Sequence, residues 1–510
     1  MLSNLVLGIK IDYRRFAVIF GLVSFVLFIS IFNLNPDKKS VTYMAATALL
    51  MAFWWITEAL PLSVTALLPV ILFPVLGIMN GKAVSSQYFN HIIFLFMGGF
   101  FMAIAMEKWN LHKRIAVKIL LFFGTNQTKI LFGFMLASAF LSMFISNTAA
   151  AMMMTPIVLA VVTELEEIFT KEKVKKISTG FFLGIAYSTS IGGIATLVGT
   201  PPNLSFVRIF DITFAEGPDI TFAKWFFFAL PISAVMFFFV WGFLSYLFFS
   251  KKNGVTIKKE IFENELKNLG KTSYEEKIVF VLFILLAFLW IFRSPIDIGT
   301  LTIPGFSSFF KNPDYINDGT VAIFMAFLLF IISSKDKKSK LLDINSIQKL
   351  PWHIIILFGG GFALAAGFKE SGLAYWCAEQ LKAAEGLPPV VIVFFLCLFI
   401  TFLTELTSNT ATSEILLPII AALSVAVKIN PLFFMVPAAI SCSLAFMLPV
   451  ATPPNAVIFG SGRVSILDMA KTGFFINLGG IFIVIAAAYF IIVPVLGIDL
   501  LSFPDWAVMK

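Results

Sequence analysis

The sequence predicts an all-α polytopic membrane protein, with about eleven transmembrane helices and two interrupted helical segments, built as two inverted copies of one unit. Three observations predict it. Of the 510 residues 59% are hydrophobic and only 13% charged, with mean hydropathy +0.94, whereas a soluble domain carries about 25% charged residues. Two polar triplets, Ser146-Asn147-Thr148 and Ser408-Asn409-Thr410, sit inside strongly apolar runs. Around them, whole blocks of sequence recur at a near-constant offset.

A helix needs about 20 apolar residues to cross the hydrocarbon core. The N-terminal region, 1–40, places Lys10, Arg14 and Arg15 before an apolar run at 16–34. That run is long for a signal-peptide core and no small-residue cleavage site follows, so it reads as a retained first helix. The first repeat, 41–250, opens with spans near 41–57, 60–78 and 91–107. It continues with the interrupted segment 129–165, a long span at 177–209 that ends in Gly-Thr-Pro-Pro-Asn, and a span at 222–250. Residues 251–277, "KKNGVTIKKEIFENELKNLGKTSYEEK", form the long charged linker that divides the chain into halves. The second repeat, 278–498, has spans near 278–292, 318–333 and 352–368, the interrupted segment 387–427, a broken span at 431–462 and a last span at 472–498; a tail, 499–510, follows.

If each interrupted segment is a re-entrant hairpin and the N-terminus is cytoplasmic, 26 Lys and Arg residues fall inside and 11 outside. That bias satisfies the positive-inside rule, with Lys38 and Lys39 as the main exceptions. It accounts for the net charge of +8 without nucleic acid and puts the C-terminus outside. The first hairpin then opens to the cytoplasm and the second to the exterior. Inverted repeats of this kind are typical of secondary transporters, which bind substrate near the midplane at the repeat interface.

The repeat is explicit in the residues. "HIIFLFMGGF" (91–100) matches "HIIILFGGGF" (353–362) at an offset of 262. Ser142 matches Thr404, Ser146–Thr148 matches Ser408–Thr410, and Pro156 matches Pro418 at the same offset. "GTPPN" (199–203) matches "ATPPN" (451–455) at 252. An isolated triplet would ordinarily be a packing feature, since Ser and Thr in membrane helices often only pack or back-bond. A duplicated triplet paired with a duplicated helix break is not explained that way.

Non-helical backbone at membrane depth is tolerated where it is buried in protein or lines a wet cavity. Ser, Asn and Thr cap helix N-termini, whose partial positive charge suits an anion even without lysine or arginine. Consecutive prolines break the following span. Hydroxyl, amide and carbonyl oxygens are the ligands that hard cations prefer. The same parts thus offer cation sites and an anion site side by side.

Other candidates carry less. Cys377, Cys397 and Cys442 have no metal-type spacing and no disulfide pattern. His91 and His353 are repeat-related and read as interfacial, and His112 as incidental to a basic amphipathic stretch. Glu58 and Glu405 are intramembrane carboxylates and functional candidates by default; Glu405 abuts the second tip, where a structural hydrogen bond competes with a role near a cation. "NQT" at 126–128 and "NLS" at 203–205 match the glycosylation pattern, but the first is cytoplasmic in this topology and the second lies in the broken span. No Walker loop, His-Glu-x-x-His or Gly-x-Ser-x-Gly motif is present, so neither an enzyme nor an ATP-driven pump is supported.

"YSTSIGGIATLVGTPPN" (187–203), "TELTSNTAT" (404–412) and "LPVATPPNAVIFGSG" (448–462) resemble the divalent anion/sodium symporter family, transporters of di- and tricarboxylates and in some branches sulfate. The resemblance covers roughly 41–498. It implies a homodimer joined through a scaffold domain, and a transport domain of hairpins and broken helices that moves as an elevator. It implies a first sodium site at Ser142, Ser146, Asn147 and the carbonyl of Gly199, and a second at Thr404, Ser408, Asn409 and the carbonyl of Ala451. The anion is implied at Asn147, Thr148, Asn409 and Thr410, with Thr200, Pro201, Thr452 and Pro453 nearby. One departure is Glu414, where the first repeat has Met152. A carboxylate one turn beyond an anion-binding tip must face away, hold a proton or pair with a cation.

The expectation is a multi-pass protein of the inner (cytoplasmic) membrane, embedded in its lipids. It would import small dicarboxylates such as succinate, malate or fumarate, coupled to two or more sodium ions and using no organic cofactor. The alternatives are a sodium-independent dicarboxylate exchanger of the same fold and a carrier of sulfate, phosphate or citrate. An anion channel is disfavoured by the discontinuous inverted repeat.

Overall fold

The computed structural model describes residues 13–123, 125–249, 257–298 and 301–508. Lys10, the first part of the charged linker and the end of the C-terminal tail lie outside the described residues. The described chain is helical apart from one antiparallel pair of three-residue strands, Ile296–Ile298 and Leu301–Ile303, with Ile296 opposite Ile303. Among the described residues nine helices are long and apolar enough to cross a membrane, or ten if the pair Leu373–Ala384 and Pro389–Thr404, bent by 117°, counts as one span.

Most expected spans coincide with helices: Tyr13–Ile31, Lys39–Thr57, His91–Lys108, Phe222–Phe248, Trp352–Ser371 and Ile466–Leu496. The differences have local causes. The span expected at 60–78 is two short helices, Leu62–Thr65 and Leu68–Val75, because Pro61, Pro69 and Pro74 punctuate it. The span expected at 318–333 is a 14-residue helix, Asp318–Ile331. Helix Tyr274–Ile291 starts in a charged turn, where Ser273 and Glu276 form a capping box. The basic stretch after Asn110 is an amphipathic helix, Leu111–Phe123.

The repeated glycine-rich blocks have a packing reason. Helix His91–Lys108 lies along Asp318–Ile331 from the other half of the chain, and a Cβ at Gly98 would stand 2.5 Å from the Cβ of Ala322. Helix Trp352–Ser371 lies along the short helices after Pro61, and a Cβ at Gly360 would stand 2.6 Å from the Cβ of Ala66. Gly98 and Gly360 are repeat mates. Each therefore lets one half of the chain nest against the other, as small residues do in membrane helix pairs.

Two buried ion pairs sit where the halves meet, one joining the first half to the end of the linker and one within the second half that also holds Phe222 of the first. Arg114 donates to both carboxylate oxygens of Glu276 at 2.8 and 3.2 Å, and to the carbonyls of Leu269 and Gly270 at 3.1 and 3.0 Å. Arg293 pairs with Asp318, which also accepts from the backbone N–H of Phe222 at 2.8 Å. Helix Lys171–Ile194 runs through the middle, packed on Gln127–Ser142, Asn147–Ile168 and Phe222–Phe248, and is buried from Ile177 to its end.

Candidate functional site

Both apolar segments are interrupted where the triplets stand. Helix Gln127–Ser142 ends, residues 143–146 break, and helix Asn147–Ile168 begins with Ser146 as its cap, the hydroxyl accepting from the N–H of Ala149 at 3.2 Å. Across the break the Ser142 hydroxyl donates to the amide oxygen of Asn147, and Thr196 donates to the carbonyl of Met143. In the second half, helix Pro389–Thr404 ends, residues 405–408 break, and helix Asn409–Ala426 begins. The Thr404 hydroxyl lies 2.6 Å from the amide oxygen of Asn409 and 3.0 Å from the carbonyl of Cys442. Three oxygens there share one hydroxyl proton, which leaves acceptor capacity unused.

The Thr-Pro-Pro-Asn segments start new helices, Pro201–Thr213 and Pro453–Gly460, with proline at the first positions, where its missing N–H costs nothing. The terminal asparagines hold the breaks. The Asn203 amide donates to the carbonyls of Gly193, Ile194 and Thr196 at 3.1, 3.3 and 2.7 Å. Asn455 donates to Ala445 and Leu448 at 3.1 and 3.0 Å. Both side-chain oxygens, fully buried, have no partner among the described residues. At the first break the Asn147 amide oxygen and the Gly199 carbonyl oxygen lie 3.0 and 3.1 Å from where a Cβ of Gly193 would stand. A Cβ there would crowd both oxygens, and the glycine lets them come to one place.

The two breaks are not equal. The first span stays helical to Ile194, whereas the second ends at Ser441, the counterpart of Thr189. The unwound N–H groups of Phe446, Met447 and Leu448 donate to the carboxylate of Glu405 at 2.7, 2.8 and 3.0 Å, and the Asn477 amide adds a fourth bond at 2.7 Å. Glu405 is thus a backbone clamp. Its counterpart is Met143, so the clamp belongs to one repeat only.

The halves cross at the site. Helix Pro201–Thr213 packs on Asn409–Ala426, and Pro453–Gly460 packs on Asn147–Ile168. Ser205 donates to Glu414 at 2.5 Å along the first contact, and Arg463 pairs with Glu166 beyond the end of the second. Ser142 and Thr404 are fully buried, Thr200, Thr410, Ala451 and Thr452 buried, Ser146, Asn147, Thr148, Pro201, Ser408 and Asn409 half-buried, and Pro453 exposed. The structure joins Ser142 to Asn147, brings Gly199 beside them, and joins Thr404 to Asn409. Among the described residues no hydrogen bond ties Ala451 to Thr404 or Asn409.

Several residues with a structural part here have no role that the sequence alone assigns: Gly193 and Thr196 lie inside the 187–203 motif, Ser205 in "NLS", Asn477 in no motif, and Asn203 and Asn455 are visible only as duplicated. His112 is not incidental. It is buried, and its Nδ1 lies 2.9 Å from the carbonyl of Met106, tying two helices at a turn. Glu58 caps the end of Lys39–Thr57 in the left-handed region, exposed and outside the contacts described above. His91 faces Asp211 at 3.7 Å, and His353 is exposed near a helix start. A cavity of about 680 Å³ lined by Lys38, Glu216, Lys369, Tyr375 and Trp506 contains none of the break residues.

A helical membrane protein whose halves each break twice and cross at the breaks belongs to the class of membrane transporters. Two solved transporters share the fold: Neisseria gonorrhoeae MtrF, with TM-score 0.57 at 13% identity over 84% of this chain and 85% of that one, and Alcanivorax borkumensis YdaH, with TM-score 0.52 at 14% identity over 78% and 84%. The chain belongs to the divalent anion/sodium symporter family: the sodium:sulfate symporter transmembrane region matches residues 14–496. Its relatives include the sodium-dependent dicarboxylate transporter SdcS of Staphylococcus saprophyticus, 46% identical over 490 residues, covering 94% of this chain and 92% of the relative. SdcS of Staphylococcus aureus strain MRSA252 is 44% identical over 494 residues, covering 95% and 92%.

Proposed function

We propose that this chain is a secondary transporter of the inner membrane that couples sodium entry to the uptake of small C4 dicarboxylates. One observation carries the reading: the hydroxyl–amide pair Ser142–Asn147 recurs as Thr404–Asn409, each pair beside a Thr-Pro-Pro-Asn break. Sodium sits at Ser142, Ser146, Asn147 and the Gly199 carbonyl, and at Thr404, Ser408, Asn409 and the Ala451 carbonyl. These are neutral oxygens with lone pairs to spare, the chemistry a hard cation takes. Asn147, Thr148, Asn409 and Thr410, at the starts of two helices, hold the dianion, with Thr200, Pro201, Thr452 and Pro453 closing around it. The printed names of the Staphylococcus relatives support both the ion and the substrate class.

In this reading the interrupted segments are re-entrant hairpins of opposite orientation, and they travel with the broken helices as an elevator against a dimeric scaffold. The N-terminus is cytoplasmic and the C-terminus external. Helix Pro201–Thr213 is largely buried, while Pro453, Ala456 and Gly460 of the matching helix are exposed. That asymmetry supports an opening on the cytoplasmic side.

Uptake into proteoliposomes tests the reading. An inward sodium gradient should drive accumulation of succinate, malate or fumarate above equilibrium, and sulfate, phosphate and citrate should compete poorly. Undiminished uptake without sodium would instead make the chain an exchanger.

A further inference from the structure

We propose that Glu414 is a proton-binding site, a carboxylic acid rather than a carboxylate, closing the seam between the helix after the second tip and the helix after the first break. Glu414 is fully buried on Asn409–Ala426. One oxygen accepts from Ser205 at 2.5 Å, and the other, Oε2, has no partner among the described residues. The place is built for the side chain: a Cβ at Gly361 would collide with Oε2, so the glycine-rich helix leaves room for it. The first repeat offers nothing comparable, since Met152 is 53% exposed.

A buried carboxylate needs a cation or several donors, because an ion removed from water without them is costly. Glu414 has one hydroxyl. Cys442, from the second break, is buried close enough to interact with it and offers no positive charge. Among the described residues no cation on the helices packed around it pairs with Glu414. Arg208 donates to Gln87 at 3.2 Å and keeps its buried Nε without a partner, Lys369 donates to the carbonyl of Ile212 at 2.8 Å, Glu379 pairs with Lys382, and Lys39 and His353 are exposed at the starts of their helices. Asp211 and Glu370 are acids on the later turns of their helices. No ion pair among the described residues reaches Glu414. A sodium ion would need a shell of oxygens that Ser205 alone does not supply. A proton needs none, and it removes the charge that would otherwise stand about one turn from Thr410. Neutral, the side chain leaves the second tip its positive polarity. Ionised, it would oppose the same dianion the tip binds.

The test is infrared difference spectroscopy on the purified full-length protein at neutral pH, wild type against Glu414→Gln. The spectra need no substrate, so their outcome is independent of which anion is carried. Expected is the loss of one protonated carboxyl band that shifts in heavy water. In Ser205→Ala the band should remain and move to higher frequency, because its one donor is gone. Affinity for succinate should fall on alkalinisation in wild type and stay level in Glu414→Gln. Loss of a carboxylate band instead, or a shallower sodium activation curve in Glu414→Gln, would overturn the proposal; the second result would place sodium there. An unmoved band in Ser205→Ala would also contradict it.

Discussion

Thr404 and Asn409 face each other across the second break with 2.6 Å between hydroxyl and amide oxygens, as Ser142 and Asn147 do across the first. Each asparagine is the first residue of its helix, so in the proposed function one amide serves both the cation and the dianion. Asn147→Ala and Asn409→Ala should therefore weaken sodium activation and dicarboxylate affinity together. Losing an amide oxygen from a bound cation is comparable to losing a hydrogen bond to a charged group, about 1.5–3 kcal/mol, so half-saturating sodium should rise about 10-fold or more. Sodium titrations of uptake check this; normal sodium dependence in both variants would refute it.

Asn268 is exposed at the end of helix Glu260–Asn268, in the linker. The proposed orientation, which rests on the 26-to-11 distribution of basic residues, has this loop in the cytoplasm. In a Cys377→Ser background, Asn268→Cys should react with an impermeant thiol reagent only after cells are permeabilised. Leu501→Cys, fully exposed in the tail, should react in intact cells. The reverse pattern would invert the topology and the side of each hairpin.

Removing the Glu405 carboxylate strands three backbone N–H groups and the Asn477 amide. Each buried donor left unsatisfied costs about 1–3 kcal/mol, so Glu405→Ala should lower thermal stability in detergent by about 3 kcal/mol or more. Asn477→Ala removes one donor and should cost less. Equal unfolding midpoints for Glu405→Ala and wild type would show that the clamp contributes nothing.

Arg114→Ala leaves Glu276 buried and uncompensated at the start of the second half, a change worth about 3–5 kcal/mol. Arg114→Lys cannot reproduce the forked bonds and should fall between. Because the same arginine holds Leu269 and Gly270, limited proteolysis near the linker should accelerate in Arg114→Ala. Unchanged cleavage rates would mean the linker is held by other contacts.

The architecture was legible where sequence period and punctuation agree. The duplicated triplets and Thr-Pro-Pro-Asn segments marked all four breaks, and the apolar runs located most helices. What escaped depends on partners distant in sequence. Glu405 reads as a possible cation ligand until Phe446, Met447 and Leu448 unwind to meet it. Gly193 is one glycine among 32 until Asn147 and Gly199 converge on it. The run at 60–78 is apolar enough for one span, but its prolines divide it.

Helix Lys171–Ile194 has a consequence for biogenesis. Its most apolar window has mean hydropathy 1.2 and is entirely buried, against 2.0 and 11% for the first helix. Ser178, Thr179, Ser188, Thr189 and Ser190 face protein, not lipid. A nascent chain that has made only this helix holds a segment the lipid accepts poorly, with Lys171, Lys173, Lys175 and Lys176 at its start, cytoplasmic in the proposed orientation. Two of its sheltering helices precede it, and two, Phe222–Phe248 and Pro453–Gly460, are synthesised after it. The post at the centre of the protein is therefore completed late, and chains arrested before Phe222 should be the ones that quality-control proteases remove.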